Sequence, residues 1–326
     1  MPKSPSSPKS AAAHPSRKWA WLASGLLPYP LLLCPLLLAL GCTPSKTDTS
    51  VSAPPCDGSG LTAGDHARTQ VVDGLERTWS IHLPPGADST SALPVVLNLH
   101  PFVLGGNEVF HELWRTESGL EALADMEGFI VVHPEGTGDP AAWNAGQACC
   151  GDASADEVDD VGFLLHLIES VSQETCVDER RVYATGMSNG GYLSHRLACE
   201  NPDRVAAIAP VVGSLSEELV CADGRAVPVL QISGSEDNLT SRQASVDHWV
   251  DANECTGQAQ VTENGAATCT TATDCRDGVS VTHCVISEGG HCWFSDHQAQ
   301  VAPGCDPVDF VSEQEAWDFF SQWALP

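Results

Sequence analysis

From about residue 90 onward, short apolar runs alternate with longer stretches whose apolar positions suit a helix. Leu93-Pro94-Val95-Val96-Leu97-Asn98-Leu99 is nearly unbroken, the pattern of a strand covered on both faces. Val227-Pro228-Val229-Leu230-Gln231-Ile232 is a second such run, and Val279 to Ile286 alternates apolar with polar residues. On this basis strands are predicted near 93–99, 128–132, 181–185, 206–212, 227–232 and 279–286. Helices are predicted near 107–126, 160–172, 189–199, 239–252 and 312–324. Strands that alternate with helices predict a mostly parallel central sheet with helices on both faces, an α/β fold. Ahead of it, Gln70 to Ile81 holds Asp73-Gly74 between apolar runs and reads as an opening hairpin. There is no internal repeat. The longest irregular stretch, His133 to Val158, is long enough to be read as functional, a wall of a binding site. Cys255 to Cys284, rich in Thr, reads as an insertion before the last strand, either a cleft rim or a stapled excursion.

The first residues follow a different pattern. Residues 1–18 carry Lys3, Lys9, Arg17 and Lys18 and no acid, and Trp19 to Gly41 is uncharged and leucine-rich up to Cys42. This is a secretion signal with Leu31 to Leu40 as its apolar core, and Pro28, Pro30 and Pro35 argue against a regular spanning helix. A cysteine that ends the apolar run favours the lipoprotein type, with Cys42 acylated at the mature N-terminus, although Ala39 stands where that pattern prefers Leu. Residues 1–41 are therefore assigned to the signal peptide, 42–60 to a polar tether and 61–326 to one folded domain.

Charge and cysteine content narrow the setting. The whole chain carries -28, and loss of residues 1–41 removes four basic and no acidic residues, giving -32. Such a field repels nucleic acid and other polyanions and leaves neutral substrates open. Of 14 cysteines, Cys34 leaves with the signal and Cys42 is the lipid site. The remaining twelve suit disulfides in an oxidising compartment. Cys199 with Cys221 and Cys292 with Cys305 are candidate local pairs. No C-x-x-C pair supports zinc, so no metal and no cofactor is called for. The membrane enters only through Cys42, and the chain is read as a monomer.

The candidate chemistry centres on Gly186-Met187-Ser188-Asn189-Gly190, which follows the apolar run Val182 to Thr185 and opens into a helical stretch. This is the nucleophile-elbow pattern in its strand–turn–helix setting: strand and helix close together there, and the glycines leave room for the turn. A serine needs a base and an orienting acid, which follow it along the chain in the order acid, then His. Asp237 stands where the 227–232 strand breaks into Ser233-Gly234-Ser235-Glu236, and it could also cap the next helix. Glu236 is its alternative. Among the five later histidines, His195 and His248 fall in helices and His283 in a strand, whereas His291 follows a last strand in a glycine loop, with His297 as fallback. The oxyanion donors would be the N–H of Asn189 and one from the loop after residue 99; Pro101 has none, so a neighbour must supply it, and Phe102 is the best candidate.

Together, His100 to Gly106, Trp143-Asn144 with Cys149-Cys150-Gly151, Val158 to Phe163, Arg181 to Gly191, and Gly289-Gly290-His291-Cys292-Trp293 resemble the secreted poly(3-hydroxybutyrate) depolymerase-like and feruloyl esterase-like α/β-hydrolases. The resemblance spans about residues 70 to 325. It implies an α/β-hydrolase fold and a Ser188–Asp237–His291 carboxylesterase acting on polymer-borne or aryl esters. It also aligns Phe102 with the oxyanion donor. The chain departs from the family pattern at Pro101, at Ser233 to Asp237 and at Phe294-Ser295, positions that bear on substrate choice. His100, Trp143 and Trp293 are assigned to substrate binding, either Trp offering a flat face to an aryl or sugar group. Acetylxylan esterase, peptidase, and a non-catalytic binding module on the same fold are the contrasting readings.

Overall fold

The computed structural model describes residues 56–102, 110–147, 149–239, 242–295, 305 and 308–326. The signal segment, Cys42 and His297 lie outside the described residues. β1 (Gly64–Val72) and β2 (Leu75–Leu83) form the expected hairpin, with positive φ at both Asp73 and Gly74 as a tight two-residue turn requires. The remaining strands are β3 (Leu93–Leu99), β4 (Ile130–Pro134), β5 (Val177–Met187), β6 (Ala207–Val211), β7 (Val229–Gly234), β8 (Gln260–Asn264), β9 (Ala267–Ala272) and β10 (Val281–Ile286). They make one sheet in the order β1-β2-β4-β3-β5-β6-β7-β10-β9-β8. The six strands from β4 to β10 in that order are parallel, and both ends are closed by antiparallel hairpins.

The helices are α1 (Phe110–Glu117), α2 (Leu120–Glu127), α3 (Asp152–Ala155), α4 (Asp160–Glu174), α5 (Asn189–Glu200), α6 (Arg242–Ala252) and α7 (Ser312–Phe320). Successive strand residues point to opposite faces. Val95, Leu97 and Leu99 join a core with Phe163, Leu167, Leu193 and Trp249 of α4, α5 and α6. Val96 and Tyr183 join a second core with Trp114, Leu123 and Phe320 of α1, α2 and α7. Burial on both faces is why the central strands read as continuous apolar runs.

Three boundaries differ from expectation. The single helix predicted over 107–126 is two, broken at Ser118-Gly119, where Gly119 has φ 71 and leaves room for the Glu313 side chain. The Cys255–Cys284 stretch is no excursion: β8 and β9 extend the sheet beyond β10, stapled by Cys255–Cys275 and Cys269–Cys284. Part of the supposed tether also belongs to the folded body. Cys56 is bonded to Cys176, and the Gly58 N–H donates to the Ser89 carbonyl at 3.1 Å. Cys199–Cys221 and Cys292–Cys305 pair as expected, and Cys149–Cys150 join as neighbours.

A buried histidine links the nucleophile helix to β7. The Trp249 indole N–H donates to Nδ1 of His195 at 3.0 Å, so the His195 proton sits on Nε2 and is donated to Gln231 Oε1 at 2.9 Å. Burial lowers the His195 pKa to about 4, with Gln231 opposing the shift and His248 adding to it. Because the folded value lies below the unfolded one, stability is fully present above about pH 6.5 and is lost as pH falls towards 4. His195→Gln is therefore expected to flatten the acid limb of a stability–pH curve by on the order of 2 kcal/mol between pH 7 and 5. Urea unfolding at several pH values checks this, and an unchanged acid limb would contradict it.

Candidate active site

Ser188 tops a strained turn between β5 and α5, with φ 52 and ψ -118. That combination is sparsely populated for a residue with a Cβ and costs on the order of 1–3 kcal/mol, so the surroundings must impose it. They do so by close backbone approach. A Cβ on Gly190 would overlap the Leu99 carbonyl and lie 2.5 Å from its carbon, and one on Gly186 would lie 2.9 Å from the Gly190 carbonyl carbon. Gly191 meets Gly213 of the loop after β6 at 3.0 Å in the same way. The Ser188 N–H donates to the Val211 carbonyl at 2.9 Å, pinning the turn to the end of β6. The hydroxyl itself makes no hydrogen bond to a described residue.

Asp237 follows β7 and His291 follows β10. Because β5, β6, β7 and β10 are parallel neighbours, Ser188, Asp237 and His291 all stand beyond the carboxyl ends of their strands, along one edge of the sheet. His291 Nδ1 lies 3.1 Å from Asp237 Oδ2. An ionised carboxylate only accepts, so Nδ1–H is the donor and Nε2 is left for a second partner. Asp237 is buried, while the His291 side chain is 23% exposed. The other Asp237 oxygen accepts from the Leu239 N–H at 2.9 Å, a local turn bond ahead of α6, which starts at Arg242 and not at the expected Leu239.

The loops that carry Asp237 and His291 are tied to each other by backbone. The Ser235 N–H donates to the Ile286 carbonyl at 2.9 Å, the Glu236 N–H to the Gly289 carbonyl at 2.8 Å, and the Glu288 N–H to Ser235 Oγ at 2.8 Å. A side chain at Gly234 would strike the Gly289 and Gly290 carbonyls. Glu236, the alternative acid, is exposed and enters this tie through its backbone. Ser287 N–H donates to the Ala266 carbonyl of the β8–β9 turn at 2.9 Å, so the unexpected hairpin supports the base loop. From the other side, Phe294 and Ser312 exchange hydrogen bonds at 3.1 and 2.6 Å, fixing the loop to α7.

The expected donors lie on two separate segments. Asn189 is the first residue of α5, and the first amides of a helix have no intrahelical acceptor. Phe102 is half-buried, its ring 3.3 Å from the position of a Cβ on Gly151, and no described residue accepts its N–H.

The three residues assigned to substrate binding are elsewhere engaged. Trp143 is 0% exposed, Trp293 1% and His100 2%. Trp143 donates its indole N–H to the His100 carbonyl at 2.9 Å, and Trp293 donates to the Ser118 carbonyl and to Glu313 Oε2, each at 3.1 Å. His100 Nε2 accepts from the Gly136 N–H at 2.9 Å, which leaves Nδ1–H to donate to the Pro101 carbonyl at 2.9 Å. None of the three rings faces the solvent, which corrects the expectation of an aromatic platform. Two neighbouring aspartates ahead of α4 take different roles. Asp159 caps α4 by accepting from the Gly162 N–H at 2.8 Å. Asp160 is fully buried, bonded to Arg77 at 2.7 Å and to the Asn144 N–H at 2.6 Å.

One set of side chains among the described residues has metal-donor character: Asp65, His82 and Glu121. Arg115 bridges Asp65 at 3.0 Å and Glu121 at 2.8 Å, so a guanidinium already balances those carboxylates. A cavity of about 380 Å³ lies at the far end of α5, lined by Cys199, Arg225, Trp249 and Arg276 and by none of the residues at the catalytic edge.

Comparison with known proteins places this geometry in context. Feruloyl esterase B of Piromyces equi is 29% identical over 270 residues, 76% of this chain and 45% of that protein. A bifunctional acetylxylan esterase/xylanase of Neocallimastix patriciarum is 26% identical over 273 residues, 81% of this chain and 35% of that protein. The chain thus spans about a third to a half of the length of these two relatives. Feruloyl esterase D of Neurospora crassa is 26% identical over 301 residues, 88% of this chain and 96% of that protein. Among solved structures, acetyl xylan esterase from Aspergillus awamori superposes with a TM-score of 0.60 at 13% identity, over 79% of this chain and 99% of that one, a likeness of fold. A family model described as Esterase PHB depolymerase matches residues 77–282, from the third residue of β2 to the second of β10. That span holds the elbow and the acid loop and stops short of His291, and with well over half of the sequence inside it the chain belongs to the Esterase PHB depolymerase family of α/β-hydrolases.

Proposed function

We propose that the chain is a secreted serine carboxylesterase that cleaves polymer-borne or aryl esters through Ser188, His291 and Asp237. The observation that carries the reading is the His291–Asp237 hydrogen bond on the same sheet edge as the strained Ser188 turn. In this mechanism Ser188 Oγ attacks the ester carbonyl carbon while His291 Nε2 takes its proton. Asp237 holds the ring by its Nδ1–H and stabilises the imidazolium. The carbonyl electrons move onto oxygen, which the N–H groups of Phe102 and Asn189 hold. Collapse expels the alcohol, protonated by His291, and leaves an acyl-Ser188 ester. Water, activated by the same histidine, then releases the acid and restores the serine.

Names of relatives support an ester on plant polysaccharide or an aryl acid, and the family description supports a hydroxyalkanoate ester. Six disulfides among the described residues and the leader support secretion, and the proposal includes Cys42 as lipid anchor and a monomeric folded body. Fluorophosphonate treatment is expected to label one serine per chain, in the peptide containing Ser188. Rates on methyl ferulate, acetylated xylan and soluble hydroxybutyrate oligomers then choose the ester class. Labelling at another serine, or a long-chain triglyceride as best substrate, would overturn the reading.

A further inference from the structure

Asn189 and Phe102 sit on separate segments, one opening α5 and the other in the stretch that follows β3, and no continuous secondary structure joins them. A developing oxyanion reads that gap, because both N–H groups must converge on one oxygen within a few tenths of an ångström. Trp143 bonds both segments. Its backbone N–H donates to Asn189 Oδ1 at 2.7 Å, and its carbonyl accepts from Asn189 Nδ2 at 3.1 Å, a two-point clamp between one peptide unit and one carboxamide. Its indole N–H donates to the His100 carbonyl at 2.9 Å, and the two rings lie 4.8 Å apart.

The residue next along the chain fixes this arrangement to the core. Asn144 donates its N–H to Asp160 at 2.6 Å and its carboxamide to the Val158 carbonyl at 2.8 Å, and its carbonyl accepts from Arg196 of α5 at 2.7 Å. Asp160 is held in turn by Arg77, whose guanidinium lies 3.8 Å over the Phe163 ring. Every polar group in this chain of contacts is buried or nearly so, where geometry is strongly constrained and a lost partner is costly.

We propose that Trp143 is a positioning residue that sets the spacing of the two oxyanion donors, with the Asp160–Arg77 pair as its anchor. This inference rests on the serine esterase reading above. Its role is felt only when charge develops on the substrate oxygen, so it acts on kcat and leaves ground-state binding alone.

Trp143→Phe keeps an aromatic ring and removes only the indole N–H. Active sites are first counted by fluorophosphonate titration, so that unfolded protein does not enter the rate. Per active site, kcat on p-nitrophenyl acetate is expected to fall about 10- to 100-fold with KM within about 2-fold, the scale of a weakened oxyanion donor. An aryl trifluoromethyl ketone, whose carbonyl takes Ser188 Oγ to give a tetrahedral oxyanion, should lose affinity by the same factor. Asn189→Ala should behave alike. Trp317→Phe removes a part-buried indole bond to Glu127 in α2, away from the donors, and should lower stability with both constants unchanged. If Trp143→Phe leaves kcat per site and ketone affinity at wild-type values, or lowers them no more than Trp317→Phe does, the positioning role is wrong. If wild-type protein is neither labelled nor inhibited by the ketone, the esterase reading itself fails.

Discussion

Ser188→Ala is expected to lower kcat/KM on a short p-nitrophenyl ester by about 10⁴-fold or more while leaving the thermal midpoint nearly unchanged. The size follows from what remains: without a nucleophile, the donors and the binding surface still favour attack by water, but only weakly by comparison. The unchanged midpoint follows from the local structure. Alanine keeps the Cβ and therefore the same backbone strain, and the lost hydroxyl makes no hydrogen bond to a described residue. The serine thus contributes to chemistry and almost nothing to stability. Steady-state kinetics beside a thermal melt checks both halves. Retention of more than about a hundredth of wild-type activity would contradict the assignment.

Gly190→Ala should fail for the opposite reason, through the fold. The new methyl would overlap the Leu99 carbonyl and come 2.8 Å from the His100 carbonyl oxygen, so it meets backbone, which cannot move aside by changing rotamer. Either β3 and α5 separate or the elbow distorts, at a cost of about 3 kcal/mol or more, the upper end for overpacking. Gly86→Ala is the comparison: nothing lies within 4 Å of its Cβ position, and only its φ of 86 opposes the change, worth about 1–2 kcal/mol. Urea unfolding should rank Gly190→Ala well below Gly86→Ala. Equal midpoints would mean that the close approach of α5 to β3 is not what the elbow glycines serve.

Those glycines also explain why the turn at Ser188 was legible in the sequence. A turn this tight excludes side chains at fixed positions around Ser188, and the exclusion is written directly as Gly186, Gly190 and Gly191. Central strands were equally plain, since burial on both faces leaves little but aliphatic residues in Val95–Leu99 and Ile130–Val132. Asp237 and His291 followed from strand ends. β8 escaped because its residues face solvent on both sides and carry no apolar pattern, although Asn264-Gly265 is a strong hairpin-turn signal. β9 buries Ala267 and Cys269 rather than valine or isoleucine, which hid its alternation. Trp143 and Trp293 were misread because a sequence shows an indole's size and not where its N–H finds an acceptor. In both cases that acceptor is a backbone carbonyl inside the protein, which commits the ring to the interior.

The Cys56–Cys176 disulfide sets the first described residue beside the start of β5, and Ser188 stands just past the other end of that eleven-residue strand, roughly 35 Å away. The last described residues return to the same strand: the Leu325 N–H donates to the Arg180 carbonyl at 2.8 Å, near the start of β5, and the Tyr183 hydroxyl donates to the Trp323 carbonyl at 2.6 Å. Both ends of the folded body therefore leave from one pole. A bead, resin or fused domain joined at either end would hold the molecule from behind, at the opposite end of β5 from Ser188.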